Sequence, residues 1–182
     1  SVEILVGPAV LEGADGSARF WLPTSSGHGR YDAYAEIGYH SVASDLDGDG
    51  AAELIAGSSI YNADGTSVCH VEIDGEMGPD VDGFAAPFVL SERGEAVYAL
   101  VGNGMLRIVD SSCAVKVSVR IEGAGNGGPP TVADFTGDGV PDVAVANSNK
   151  VAVYTSEGEL VWSEQITDVS SHALGLMAFD FE

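Results

Sequence analysis

Asp45-Leu46-Asp47-Gly48-Asp49-Gly50-Ala51-Ala52-Glu53-Leu54-Ile55 is the stretch on which the reading of this chain turns. It sets carboxylates at loop positions 1, 3, 5 and 9 and glycines at positions 4 and 6. Alternate side chains turn their oxygens inward, and the glycines permit the sharp turn between them. A hard divalent cation such as Ca2+ takes six to eight oxygens of this kind, some of them backbone carbonyls. Asp45, Asp47, Asp49 and Glu53 therefore offer side-chain ligands, and Ala51 at position 7 offers its carbonyl. The first six residues also satisfy the opening of the EF-hand pattern. That pattern needs Glu at position 12 and a helix behind it. Position 12 is Ala56, and Glu53-Leu54-Ile55-Ala56-Gly57 reads as a short strand ended by Gly. The sequence thus predicts a cation loop between two strands. The competing reading is an acidic β-turn without metal, in which three close acids would repel one another unscreened.

The loop recurs. Asp134-Phe135-Thr136-Gly137-Asp138-Gly139-Val140-Pro141-Asp142-Val143 keeps acids at positions 1, 5 and 9, puts Thr136 at position 3, and has Val140 at the carbonyl position. The chain ends in Leu176-Met177-Ala178-Phe179-Asp180-Phe181-Glu182, which matches a strand and the first three positions of another copy. Asp45 and Asp134 stand 89 residues apart, and Asp134 and Asp180 stand 46 apart. A further copy is expected near residue 90. Ser91, Arg93 and Glu95 occupy its positions 1, 3 and 5, so this unit keeps its flanking strands and loses most ligands. A period in the forties with strand-turn-strand content is a propeller-type signal.

Each unit reads as four short strands. In the last full unit they are Thr131–Ala133, Asp142–Ala146, Lys150–Tyr154 and Leu160–Trp162, with Asn147-Ser148-Asn149 and Ser156-Glu157-Gly158 as turns. No stretch of 11 or more residues has helical periodicity. Ser1-Val2-Glu3-Ile4-Leu5-Val6-Gly7 aligns with Ala51–Gly57, so Glu3 takes position 9 of a loop whose positions 1 and 3 are Asp180 and Glu182. The expected organisation is all-β, a β-propeller of four-stranded blades. Its units are roughly 1–40 with 174–182, 41–86, 87–130 and 131–173, the first split between the termini.

These residues resemble the integrin-type repeats, the FG-GAP or VCBS repeats of β-propellers. The likeness rests on Val42–Gly57 and Val132–Ala146 and, with the degenerate and split units, spans the chain. It implies Ca2+ as cofactor at Asp45, Asp47, Asp49 and Glu53 and at Asp134, Asp138 and Asp142. Thr136 departs from the pattern, since a neutral hydroxyl weakens the second site. The resemblance also implies an extracellular or cell-surface, non-catalytic module for protein or glycan interaction and adhesion. Family propellers usually have seven blades, sometimes six or eight. Four units fit a segment of a longer chain, half of an eight-bladed homodimer, or a small four-bladed ring.

Composition narrows the classes of partner. The 182 residues suit one domain, and 45% hydrophobic content is enough for a core. A net charge of −21 repels phosphate backbones and anionic lipid, which disfavours nucleic-acid and membrane-surface roles. No apolar run is long enough to cross a bilayer, and Ser1–Gly7 lacks the basic region of a signal peptide. Cys69 and Cys113 have no zinc-type spacing. They lie in comparable parts of neighbouring repeats, where a disulfide and two buried thiols both remain open.

No catalytic constellation emerges. His28, His40, His70 and His172 sit in different linkers and strands, and Ser26-Gly27-His28-Gly29 lacks the context of a nucleophile elbow. Gly123–Gly128 lacks the Lys-Ser/Thr of a phosphate loop. Acids inside a cation loop cannot serve as the proton donors of a glycosidase. Tyr31 and Tyr34, in the linker Pro23–His40, support an alternative reading as a sugar-binding lectin. An accessory module of a polysaccharide-active enzyme is another alternative.

Overall fold

The computed structural model describes residues 2–22, 40–73, 82–90, 94–167 and 175–180. They form fifteen strands in four antiparallel sheets, each a meander in sequence order. Sheet I holds β1 (Glu3–Val6), β2 (Ala9–Glu12) and β3 (Ala18–Trp21). Sheet II holds β4 (Ser41–Ser44), β5 (Glu53–Ala56), β6 (Ser59–Tyr61) and β7 (Ser67–His70). Sheet III holds β8 (Phe84–Leu90), β9 (Glu95–Gly102), β10 (Met105–Asp110) and β11 (Val115–Arg120). Sheet IV holds β12 (Thr131–Ala133), β13 (Asp142–Ala146), β14 (Lys150–Thr155) and β15 (Leu160–Gln165).

The first strands are neighbours in order: β1 lies beside β4, β4 beside β8, and β8 beside β12. The sheets themselves stack face to face. Successive residues of a strand point to opposite faces, so one strand serves two interfaces. In β5, Leu54 and Ala56 join Val10, Leu22 and Tyr61 in a core shared with sheet I. Ile55 points the other way and packs with Ile60, Tyr98, Leu100 and Val109 against sheet III. In β9, Tyr98 and Leu100 face sheet II, while Val97, Ala99 and Val101 meet Val143, Val145 and Tyr154 of sheet IV. The run Glu53–Ala56 is therefore buried throughout and reads as continuous rather than alternating burial.

One irregularity recurs. Between the last two strands of every sheet the register shifts by one residue, after the pairs Val10↔Phe20, Ile60↔Cys69, Ile108↔Val117 and Val153↔Trp162. The extra residues are Arg19, Val68, Lys116 and Val161. Such a β-bulge bends its strand and increases the local twist.

Cys69 in β7 and Cys113 in the turn after β10 form a disulfide, so sheets II and III are joined covalently. This settles a point that spacing had left open.

The fourth strand expected for sheet I over 174–180 is not formed among the described residues, and sheet I has three strands. Within residues 175–180 the Leu176 carbonyl accepts from the Thr131 hydroxyl of sheet IV at 2.6 Å. No helix among the described residues is long and apolar enough to cross a membrane.

Candidate metal centre

The β4–β5 connection carries Asp45, Asp47 and Asp49 with one carboxylate oxygen of each within 4.8 Å of the others, all three exposed. Backbone donors fix this arrangement. Asp45 accepts from Gly48 at 2.7 Å through Oδ1 and from Gly50 at 3.0 Å through Oδ2. Asp47 accepts from the Asp49 N–H at 3.1 Å, and Asp49 from the Ala51 N–H at 2.7 Å. Gly48 and Gly50 have φ of 81° and 88°, a region that costs other residues energy. Glu53, in β5, is buried, and its carboxylate accepts from the Leu46 N–H at 2.7 Å.

The β12–β13 loop repeats the same frame. Asp134 accepts from Gly137 at 2.6 Å, Asp138 at 3.1 Å and Gly139 at 2.9 Å. These N–H donors, led by that of Gly139, hold its carboxyl below the ordinary carboxylate range. Asp138 accepts from Val140 at 2.8 Å. Asp142 is buried, and its Oδ2 accepts from both Phe135 and Thr136 at 3.0 Å. The position-9 acid therefore braces the loop from behind in both copies. Thr136 brings no carboxylate to the cluster, and among the described residues the three-acid convergence is found at Asp45, Asp47 and Asp49.

The third group is described only in part. Glu3 is engaged by Arg19 at 2.7 Å, Asp180 is exposed, and Glu182 lies outside the described residues. Ser91 and Arg93 of the degenerate unit also lie outside them. There β8 and β9 pair as far as Leu90↔Glu95, and Lys116 approaches Glu95 at 3.4 Å and Asp110 at 2.9 Å.

The chemistry of the first loop fits a hard cation. Its donors are all oxygens, three carry charge, and their positions are held by backbone N–H groups before any ion arrives. Asp45, Asp47 and Asp49 would hold it, with Glu53 buttressing from β5.

Beside the second loop a groove of about 440 Å³ opens between sheets III and IV, lined by Glu95, Lys116, Asp138, Asp142, Glu157 and Glu159 among others. Sequence reasoning did not find it, because its walls come from two sheets. Nor did it find the role of Asp82. That residue is buried and accepts from the N–H groups of Gly83 at 2.9 Å and Ser58 at 3.4 Å. His70 is structural: its Nδ1 and the Ser59 hydroxyl are 2.9 Å apart. His40 stacks edge-on to Phe84 at 6.2 Å. His28, His172, Tyr31 and Tyr34 lie outside the described residues.

No family model matches the sequence, and no curated protein matches it. Two solved structures resemble it. One is the V. cholerae biofilm matrix protein Bap1, with a TM-score of 0.60 at 17% identity over 92% of this chain and 25% of that one. The other is BBS1N in complex with ARL6DN, with a TM-score of 0.53 at 16% identity over 93% of this chain and 51% of that one. The chain thus spans a quarter and a half of the proteins it resembles. At such identities the likeness speaks for architecture alone: an all-β, β-propeller-like arrangement of consecutive sheets.

Proposed function

We propose that this chain is a non-catalytic, Ca2+-binding β-propeller module of the FG-GAP/VCBS type, acting outside the cell in protein or glycan interaction. The observation that carries the reading is the convergence of Asp45, Asp47 and Asp49 within 4.8 Å on a β4–β5 loop, with the same hydrogen-bonded frame rebuilt at Asp134–Asp142. The ion's task is mechanical. A cation that binds only the folded loop stabilises it by RT ln(1 + [L]/Kd), and it fixes the ends of the first two strands of a blade.

Two features support the extracellular setting. The Cys69–Cys113 disulfide suits an oxidising compartment. One structural neighbour is a biofilm matrix protein, which agrees with an adhesive role. The acids of the loops are committed to backbone N–H groups and to the ion, which leaves them unsuited to proton transfer.

Isothermal titration of the chelator-treated protein with CaCl2 tests the reading. Binding is expected with a tighter site that vanishes in Asp47→Ala. Absence of any binding heat up to millimolar Ca2+ would overturn it.

A further inference from the structure

The groove of about 440 Å³ between sheets III and IV has two kinds of wall. Its floor is apolar: Leu90 at the end of β8, Ile108 in β10, Val117 in β11 and Val140 in the β12–β13 loop. Its rim is acidic, with Glu95 and Asp138 on one side and the β14–β15 turn, carrying Glu157 and Glu159, on the other.

The rim acids differ in what already holds them. Glu95 has Lys116 at 3.4 Å, and that ammonium is also held by Asp110 at 2.9 Å. Asp138 accepts from the Val140 N–H at 2.8 Å. Among the described residues, Glu157 and Glu159 have neither an ion pair nor a hydrogen bond to their carboxylates.

The other three sheets show what an acid ordinarily does in this turn. One residue of each turn has positive φ: Gly16, Gly65, Cys113 or Gly158. In sheet I, Asp15 before it accepts from the Ser17 N–H at 2.9 Å. In sheet II, Asp64 before it accepts from the Thr66 N–H at 2.9 Å and the Thr66 hydroxyl at 2.6 Å. In sheet III, Asp110 accepts from the N–H groups of Ser112 and Ala114, both at 2.9 Å. In sheet IV the Thr155 hydroxyl takes over, accepting from the Glu159 N–H at 3.1 Å. Both glutamates are thereby released from the turn and left on the rim.

Ser156 is the second, independent sign. It lies between these acids and the floor, is only 8% exposed, and its hydroxyl has no partner among the described residues. That hydroxyl is not sealed off as those of Ser41 and Tyr98 are, and the space it opens on is the groove. A polar group removed from bulk solvent without a partner carries a free-energy cost that an incoming donor relieves.

We propose that this groove receives an arginine side chain of a partner protein, with the guanidinium between Glu157 and Glu159, a donor to the Ser156 hydroxyl, and the methylenes on Leu90, Ile108, Val117 and Val140. The inference rests on the reading of the chain as a protein-interaction module and names the partner's chemistry. A guanidinium carries five donors in a fixed fork, is weakly hydrated and accepts nothing, which suits two carboxylates and a hydroxyl above an apolar floor. Its stem covers apolar surface while its head stays with the charges. The net charge of −21 adds long-range attraction for a cationic partner.

The probe is N-acetylarginine amide, titrated into the 15N-labelled, Ca2+-loaded protein at about 0.15 M salt, where diffuse charge is largely screened. Saturable shifts are expected at the amides of Val117, Ser156, Glu157 and Glu159. Binding should weaken by about fivefold in the Glu157→Gln/Glu159→Gln double variant. Glu164→Gln, an acid of β15 that does not line the groove, should leave it unchanged, and the uncharged N-acetylcitrulline amide should not bind. No saturable shift, equal weakening by Glu164→Gln, or equal binding of the citrulline compound would each overturn the proposal. So would groove amides that respond to CaCl2 but not to arginine, since the acids would then serve the ion alone. Failure with arginine while the Ca2+ calorimetry stays intact rejects the groove and leaves the Ca2+-binding module standing.

Discussion

The backbone N–H of Leu46 donates to the buried carboxylate of Glu53 at 2.7 Å, tying the second residue of the loop to the strand that follows it. Phe135 and Asp142 repeat this tie at 3.0 Å. The acid at position 9 thus has a structural duty independent of any ion. Glu53→Ala should leave a buried donor without a partner and cost about 1–3 kcal/mol, even in chelator. Glu53→Gln retains an acceptor and should lose less in chelator. Urea unfolding of both variants with and without Ca2+ measures the difference.

Removing the cation should soften the protein. At a hundredfold excess of Ca2+ over Kd the linkage amounts to about 2.7 kcal/mol. For a domain of this size that corresponds to a Tm higher by about 5–10 °C. EDTA should abolish the increment, and Asp47→Ala should abolish most of it without EDTA. Thr136→Asp should act in the opposite sense, bringing the missing carboxylate to the second loop and raising its affinity for Ca2+ in calorimetry.

The disulfide closes a chain separation of 44 residues between sheets II and III. Loop-closure entropy for that length is worth about 4 kcal/mol in the chain-entropy model. Paired substitution of Cys69 and Cys113 by Ser should therefore lower the urea midpoint strongly and raise the m-value, because the freed unfolded chain exposes more surface. Reduction of the wild type with dithiothreitol should do the same.

Asp110 gives the protein an acid limit. Burial alone would raise its carboxyl, but hydrogen bonds from Ser112, Lys116 and Ala114 bring it down to about 2, from an ordinary 3.8. The folded value is the lower one, so the stabilisation is complete above about pH 4 and is lost as pH falls toward 2. Its size is on the order of 2 kcal/mol. The stability gap between wild type and Asp110→Asn, followed by urea unfolding from pH 5 to pH 2, should shrink across that window.

Much of sheets II and IV was legible because their signals are local. Thr131–Ala133, Asp142–Ala146 and Lys150–Tyr154 were expected as strands, and they appear as β12, β13 and β14 with at most one residue of difference. Alternation and turn residues decide such elements, and both are written within a few residues of each other. The loop acids were legible for the same reason. The disulfide was not. Cys113 stands at the turn position of Gly65, out of phase with Cys69 on its strand, and the pairing exists only once two sheets are stacked. Asp82 and the groove beside Asp138 escaped for that reason too, since their partners are brought by packing. The segment 175–180 reads as a strand in sequence but joins no sheet among the described residues.

The shift of register that follows Phe20, Cys69, Val117 and Trp162 in turn has a bearing on how the molecule behaves at high concentration. β3, β7, β11 and β15 are the outermost strands of their sheets, and each has a side with no ladder partner in its own sheet. A long, flat margin of that kind recruits strands from other molecules and seeds fibrils. The bulge breaks the margin into short pieces, and at two of the four sites the residue inserted is Arg19 or Lys116, a charge that an incoming strand would have to bury. The bulges thus work against edge-to-edge growth of the sheets.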